Sequence, residues 1–221
     1  KDLLYVGTDG NGVHFISTKQ GRIVRSFQHE VGKGGSLRSN SVYSLLVDRD
    51  GLIWVGFYQL GLDYTLYQSE LFRTYSYPPY FDTKDMPVRT ITFRGSEKLI
   101  GSRDGLYFID EQRGRYAGFS APQLRSSMII CSYAFQGKYY VGTYGGGMYV
   151  LDPVTLTISD FEPRVAQPFV KGQIFCIKSD AEGCLWIGTS VGLFRYKDGR
   201  MLNHYTSANS KLPEGNVYEI Y

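Results

Sequence analysis

One short motif, an apolar strand with an aromatic residue ending in Gly-Thr or a close variant, recurs five times in 221 residues. The copies are Leu3-Leu4-Tyr5-Val6-Gly7-Thr8, Leu52-Ile53-Trp54-Val55-Gly56-Phe57, Lys98-Leu99-Ile100-Gly101-Ser102, Tyr139-Tyr140-Val141-Gly142-Thr143 and Leu185-Trp186-Ile187-Gly188-Thr189. Their anchoring glycines, Gly7, Gly56, Gly101, Gly142 and Gly188, lie 49, 45, 41 and 46 residues apart. A second glycine (Gly12, Gly61, Gly105, Gly147, Gly192) follows each anchor after four or five residues, and then a further apolar strand such as Leu193-Phe194-Arg195-Tyr196. The stretch before each anchor repeats as well. Residues 41–51 and 173–183 both alternate apolar and variable positions and close in an Asp/Gly turn, which reads as a strand feeding a hairpin. Val217–Tyr221 opens a sixth copy.

A period of roughly 40–50 residues built from short strands is the signature of a propeller blade. The expected fold is therefore all-β, a β-propeller of four-stranded antiparallel blades with about five blade equivalents, forming a single domain over residues 1–221. In the clearest copy strand A is Val42–Asp48, B is Leu52–Phe57, C is Gly61–Leu66 and D is about Leu71–Tyr77. Blades bury their faces only by stacking on neighbours. No sustained apolar stripe of helical period competes with this reading. The chain opens on a B strand and closes on an A strand. That arrangement predicts either a five-blade ring closed by its own ends, with no unpaired edge at the seam, or an arc of a larger ring.

Composition narrows the function class. Gly 26, Tyr 19 and Phe 13 suit many strands and turns, and a net charge of +3 with no Lys/Arg stripe argues against nucleic acid. No apolar run approaches the roughly 18 residues of a membrane helix, so membrane contact is expected only through flanking regions. The start lacks both Met and the pattern of a signal peptide, which reads as a segment of a longer protein. Cys131, Cys176 and Cys184 are too few and too scattered for a disulfide framework or a zinc site. No cofactor or metal is expected.

The stretch Ser210-Lys211-Leu212-Pro213-Glu214-Gly215-Asn216-Val217-Tyr218-Glu219-Ile220 resembles the start of the two-component regulator propeller repeat, and residues 179–196 resemble its continuation. Residues 39–61 match nearly as well, with Phe57 where that family prefers Thr. The other copies are degenerate at the Trp position. The resemblance implies the periplasmic sensor region of a Bacteroides-type hybrid two-component system, an inner-membrane receptor with seven-bladed propellers, a β-sandwich and a histidine kinase. It further implies an oligosaccharide ligand and a homodimeric receptor. Only five blade equivalents are present here, so the seven-blade count rests on the resemblance alone.

Trp54 and Trp186 occupy one repeat position and read as inter-blade packing, since large aromatics fill the wedge between sheets. Cys131 and Cys176 align with Ser44 and Thr90 at a small-residue position on strand A, and read as packing thiols. The acidic pairs Asp48/Asp50 and Asp180/Glu182 invite a Ca²⁺ or glycosidase reading. Their recurrence in a hairpin turn favours capping of its backbone N–H groups. His14, His29 and His204 are isolated, and no nucleophile–base set is visible, so no catalytic residue is expected. Ligand contacts are expected on loops, where function concentrates. The B–C and D–A connections share one face of a propeller. The B–C loops offer Asp9, Asn11, Tyr58, Gln59, Arg103, Asp104 and Tyr144, and the D–A loops offer Arg38, Asn40, Tyr77, Tyr80, Lys171 and Gln173. Arg103 with Asp104, and Tyr58, head that set. The competing readings are a propeller lyase or glycoside hydrolase and a protein-interaction scaffold.

Overall fold

The computed structural model describes residues 2–33, 35–58, 60–66, 73–75 (backbone), 87–161, 169 and 172–221. It divides into two compact units, Lys1–Ile91 and Thr92–Tyr221. In the first unit β1 (Leu3–Thr8), β2 (Gly12–Ser17) and β3 (Arg22–Phe27) form a three-stranded sheet in that order. Next, β4 (Val42–Val47), β5 (Leu52–Phe57), β6 (Leu62–Leu66) and β7 (Arg73–Tyr75) form a four-stranded sheet. The division between units falls within β8 (Val88–Arg94), whose sheet continues with β9 (Glu97–Ser102), β10 (Leu106–Asp110) and β11 (Arg115–Phe119). The second unit adds β12 (Ile129–Phe135), β13 (Lys138–Thr143), β14 (Met148–Asp152) and β15 (Thr157–Asp160). Its last sheet is β16 (Ile174–Ser179), β17 (Leu185–Thr189), β18 (Gly192–Lys197) and β19 (Arg200–Tyr205). Each four-stranded sheet is an up-and-down meander of the A-B-C-D kind, and the three-stranded sheet is its B-C-D part. Of the expected strand D, about Leu71–Tyr77, the described residues Arg73–Tyr75 are strand. Residues 216–221 form no strand ladder, and β1 is the edge strand of its three-stranded sheet.

Alternation along the B strands explains the packing. In β5, Ile53, Val55 and Phe57 enter a core with Val13, Phe15, Leu37 and Val42, while Trp54 and Gly56 turn to the opposite face, as the period of two requires. In the second unit one core gathers Leu99, Phe108, Ile129, Tyr139 and Val141. Another gathers Met148, Phe161, Ile174, Ile177, Ile187 and Phe194. Tyr139 also donates its hydroxyl proton to Glu97 at 2.8 Å, and Arg94 pairs with the same carboxylate at 2.7 Å, so the buried acid is satisfied from both sides.

The anchor glycine is a site of close approach. Gly142 pairs with Cys131 in its own sheet, and a Cβ added there would lie 2.6 Å from Cys131 Sγ and 2.7 Å from Ile174 Cγ2 of the next. Gly56 is held likewise between Ser44 and Val88, Gly188 between Cys176 and Val217, and Gly7 lies against Val42. The first residue of each of these A strands thus fills the notch above the preceding glycine. Val217 occupies that position against Gly188 even though it is in no ladder.

Cys131 and Cys176 therefore sit where the repeat places them, opposite the anchor glycines, with their thiols directed at the Ile174 and Val217 carbonyl oxygens at 3.7 and 3.5 Å. Burial pushes the Cys131 thiol well up, and pushes Cys176 up to about 11. An unfolded thiol titrates near ~8.5, so the unfolded state releases its proton first. The stability these groups contribute is intact below about pH 8.5 and is lost as pH rises towards 11. The expected result is that both thiols resist iodoacetamide at pH 8 in the native chain and react once it is unfolded in urea. The urea midpoint should fall between pH 8.5 and 11, and fall less in a Cys131→Ala/Cys176→Ala chain.

Candidate ligand-recognition site

The repeat residues build two kinds of turn. At the A–B end, Asp48 Oδ1 accepts from the backbone N–H groups of Asp50 and Leu52, and Oδ2 accepts from the Trp54 indole at 2.8 Å. Asp180 does the same with Glu182, Cys184 and Trp186. The tight reversal needs a left-handed residue, supplied by Gly51 (φ 82°) and Gly183 (φ 76°). Trp54 also stacks on Tyr64 at 5.0 Å and Trp186 on Tyr205 at 5.8 Å. Both tryptophans are thus fastened within their own sheets by a turn carboxylate and a neighbouring ring. Asp180, Glu182 and Cys184 bring potential metal-ligating atoms within 4.8 Å. Their carboxylates are already engaged by the turn, by Trp186 and by Arg195. The first acid of each pair thus caps its turn, as read from the sequence, while the Glu182 carboxylate pairs with Arg195.

At the other end the Gly-Thr position closes the B–C turn. The Thr8, Ser102, Thr143 and Thr189 hydroxyls donate to the carbonyls of Gly12, Gly105, Gly147 and Gly192 at 2.8–3.0 Å. Phe57 cannot do so, and its turn relies on the Phe57 N–H to Gly61 carbonyl bond. The D–A connections meet these turns directly. Asp9 bridges Ser41, Tyr144 bridges Gln173, and the N–H groups of Tyr58 and Ser190 donate to the Ser41 and Gln173 carbonyls. Within each unit, the B–C and D–A loops share one end of the sheets, as the sequence reading required.

That end carries a feature the alternation rule concealed. Strands β4, β12 and β16 each shift register one residue after they begin, between Val42 and Ser44, Ile129 and Cys131, and Ile174 and Cys176. Such a bulge leaves its extra residue outside the ladder and re-aims it. In the first unit the extra residue is Tyr43. It is 41% exposed and stacks on Tyr58, itself 39% exposed, at 4.9 Å and 30°. The Arg89 guanidinium lies 5.7 Å from the Tyr43 ring centroid, and its Nε is buried without a hydrogen-bond partner among the described residues. In the second unit Phe175 meets Tyr218 at 4.7 Å, and Asn216 Nδ2 donates to the Tyr218 hydroxyl at 2.7 Å. Tyr43, Arg89, Phe175 and Tyr218 were all missed as candidates. The available signal was two consecutive large residues before a small one, as in Val42-Tyr43-Ser44 and Ile174-Phe175-Cys176.

The predicted loop residues divide sharply. Tyr58 joins the exposed stack. Arg38 is drawn onto buried Asp63, its backbone N–H donating at 3.0 Å and its Nε lying 3.6 Å away, and it also donates to the Leu60 carbonyl. Asn40 is consumed in scaffolding: its Oδ1 accepts from the His29 N–H, and its carbonyl from the N–H groups of Gly10 and Gly12. Asn11 accepts from Gln28 through its carbonyl, while Asp9 and Tyr144 are exposed. Arg103 and Asp104 are exposed on the β9–β10 turn. Burial, then the Asp104 charge, raise the titration of Tyr107, so this turn faces that phenol. Gln59, Tyr77, Tyr80 and Lys171 lie outside the described residues. The histidines bond locally, His14 with Ser26, His29 with the Leu37 carbonyl and His204 with that of Val191.

Comparison with known proteins accords with this geometry. The family described as two component regulator propeller matches residues 36–59 and 168–191, the two copies that contain the Asp-turn and tryptophan. None of the curated proteins matches the chain. Among solved structures it is similar to the extracellular domain of a protein described as a hybrid two component system from B. thetaiotaomicron. The TM-score is 0.70 at 21% identity, over 91% of this chain and 28% of that one. A second such domain from the same organism gives a TM-score of 0.65 at 20% identity, over 90% and 26%. PorZ, a surface component of the type-IX secretion system of Porphyromonas gingivalis, gives 0.75 at 16% identity, over 99% and 34%. The chain thus spans about a quarter to a third of these structures. Among the described residues no helix is long and apolar enough to cross a membrane. The chain is a β-propeller-type protein carrying two-component regulator propeller repeats, on a fold shared with extracellular domains of hybrid two-component systems.

Proposed function

We propose that this chain is a non-catalytic recognition module in the periplasmic sensor region of a hybrid two-component receptor, and that it binds an oligosaccharide at the B–C and D–A loop end. The observation that carries the reading is the exposed Tyr43–Tyr58 stack with Arg89 against it. Aromatic faces suit the C–H surface of a sugar ring, and a guanidinium beside them is a donor of the kind its hydroxyls accept from. The carboxylates Asp48, Asp63, Glu97, Asp110 and Asp180 are each held by protein donors. That favours recognition over a lyase or hydrolase mechanism. Output in the intact receptor would pass through a change in homodimer geometry. In this proposal Tyr58, Tyr43 and Arg89 replace Arg38 and Asn40 as contact residues of the first unit, while Arg103, Asp104, Tyr144 and Gln173 are the candidates at the corresponding loop end of the second; Gln59 and Lys171 lie outside the described residues.

Titration calorimetry against neutral and acidic plant and host oligosaccharides tests this. The expected result is binding of at least one class, weakened about 30-fold in Tyr58→Ala, the loss of a central aromatic contact of about 2 kcal/mol, with an unchanged thermal midpoint. Silence across the panel from the chain, and from a longer sensor region containing it, would exclude the oligosaccharide reading. Turnover that Asp104→Asn abolishes would instead favour the enzyme.

A further inference from the structure

A cleft of about 620 Å³ opens between the fourth and fifth sheets, at the end remote from the B–C turns. This volume lies within the ordinary range of small-ligand sites. One wall is the cross-strand row Tyr140, Val150 and Ser159 of the β13–β15 sheet. The facing wall is Tyr196 with the β18–β19 hairpin turn, Asp198 to Arg200. Its floor is aromatic: Phe161 packs edge-on against Tyr140 at 5.9 Å and against Tyr196 at 4.8 Å. Charge lies at the mouth. Lys138 sits at the start of β13 and Arg200 at the start of β19, and neither side chain makes a hydrogen bond or ion pair among the described residues. Asp160 is already neutralised by Arg125 at 2.7 Å, which leaves Asp198 and the Ser159 hydroxyl as acceptors.

We infer that this cleft binds a sugar acid, a hydroxylated ring bearing one carboxylate. The carboxylate sits between Lys138 and Arg200, the ring's apolar face lies on Tyr140 and Tyr196, and its hydroxyls donate to Asp198 and Ser159. Two cations flanking one opening, neither held in a close ion pair among the described residues although Lys138 lies in the field of Asp152, select an anion. An aromatic floor with hydroxyl acceptors selects a polyol ring over a bare inorganic anion. The site is separate from the Tyr43–Tyr58 stack and does not rest on it.

Calorimetry with digalacturonate and with neutral digalactose, on the 221-residue chain, tests the inference. Digalacturonate is expected to bind about tenfold or more tightly than digalactose, the scale of a charge-assisted contact, and to weaken as salt is raised. The Lys138→Gln/Arg200→Gln chain should lose that preference, and Lys138→Arg should keep it. Tyr58→Ala should leave it untouched, which separates this site from the loop-end site. Both cations are exposed at hairpin ends, so an unchanged thermal midpoint is expected in the variants. Equal affinity for the two sugars, no binding of either, or a preference that survives the double substitution would each overturn the assignment.

Discussion

Replacing Gly142 with alanine is expected to destabilise the chain by about 3 kcal/mol, the upper part of the range for overpacking a filled core. The new methyl group would meet Cys131 Sγ at 2.6 Å on one side and the Ile174 Cβ at 2.8 Å on the other. Neither neighbour can retreat easily: Cys131 is paired in the same sheet, and Ile174 is a fully buried first residue of the next strand. Relief on one side alone should be incomplete, so Cys131→Ala/Gly142→Ala should recover only part of the loss, with clear non-additivity between the contacting residues. Gly7→Ala provides the comparison. There the close contacts come from one side chain, Val42, so a smaller loss is expected. Urea denaturation of the parent, Gly142→Ala, Cys131→Ala, Cys131→Ala/Gly142→Ala and Gly7→Ala chains measures these differences. A Gly142→Ala chain as stable as the parent would mean that the glycine is not what sets the spacing of these sheets.

Replacing Asp48 with alanine should cost a comparable amount, again about 3 kcal/mol, by a different route. Three donors, two backbone N–H groups and the Trp54 indole, converge on this one carboxylate, and a hydrogen bond to a charged group is worth about 1.5–3 kcal/mol. Water can replace part of this at the turn. It cannot readily reach the indole of Trp54, which is only 4% exposed, so that N–H is left unsatisfied. Tryptophan fluorescence should report it, with Trp186 as the unperturbed internal reference. Asn in place of Asp should restore the backbone bonds more fully than the indole bond, since only one of its two terminal atoms accepts. The twin turn adds a pH signature. Backbone N–H groups, the Cys184 one foremost, together with the Trp186 indole hold the Asp180 carboxyl below the usual carboxylate range. That turn's contribution is therefore complete above the unfolded value near ~4 and is lost as pH falls through the lower folded value. Acid unfolding should begin at higher pH in Asp180→Asn.

How far the sequence reaches depends on the separation of the partners. Asp48 and Trp54 are six residues apart, as are Asp180 and Trp186, so the turn cap was legible along one hairpin, whereas the indole bond to the same carboxylate was seen only in the structure. The Thr8, Thr143 and Thr189 hydroxyls act within three or four residues, so the recurring Gly-Thr pair closes its turn locally. Arg38 and Asn40 looked like loop groups available to a ligand. Arg38, however, meets Asp63 from 25 residues away, and Asn40 meets His29 from 11. No local rule anticipates such pairs, because they exist only once neighbouring sheets have stacked.

The amino-acid sequence by itself determined the strand period, the meander within each blade, the capping of the acidic A–B turn and the position of the small residue on strand A. Each of these follows from spacing along one hairpin. Only the tertiary structure decided which side chains face outward at the loop end. A one-residue register shift at the start of β4 and β16 turns Tyr43 and Phe175 out of the alternation. Stacking then brings Tyr58, Arg89 and Tyr218 against them. A bulge is set by pairing between strands and by the packing of one sheet on the next, so its outcome is invisible to any pattern read along a single strand.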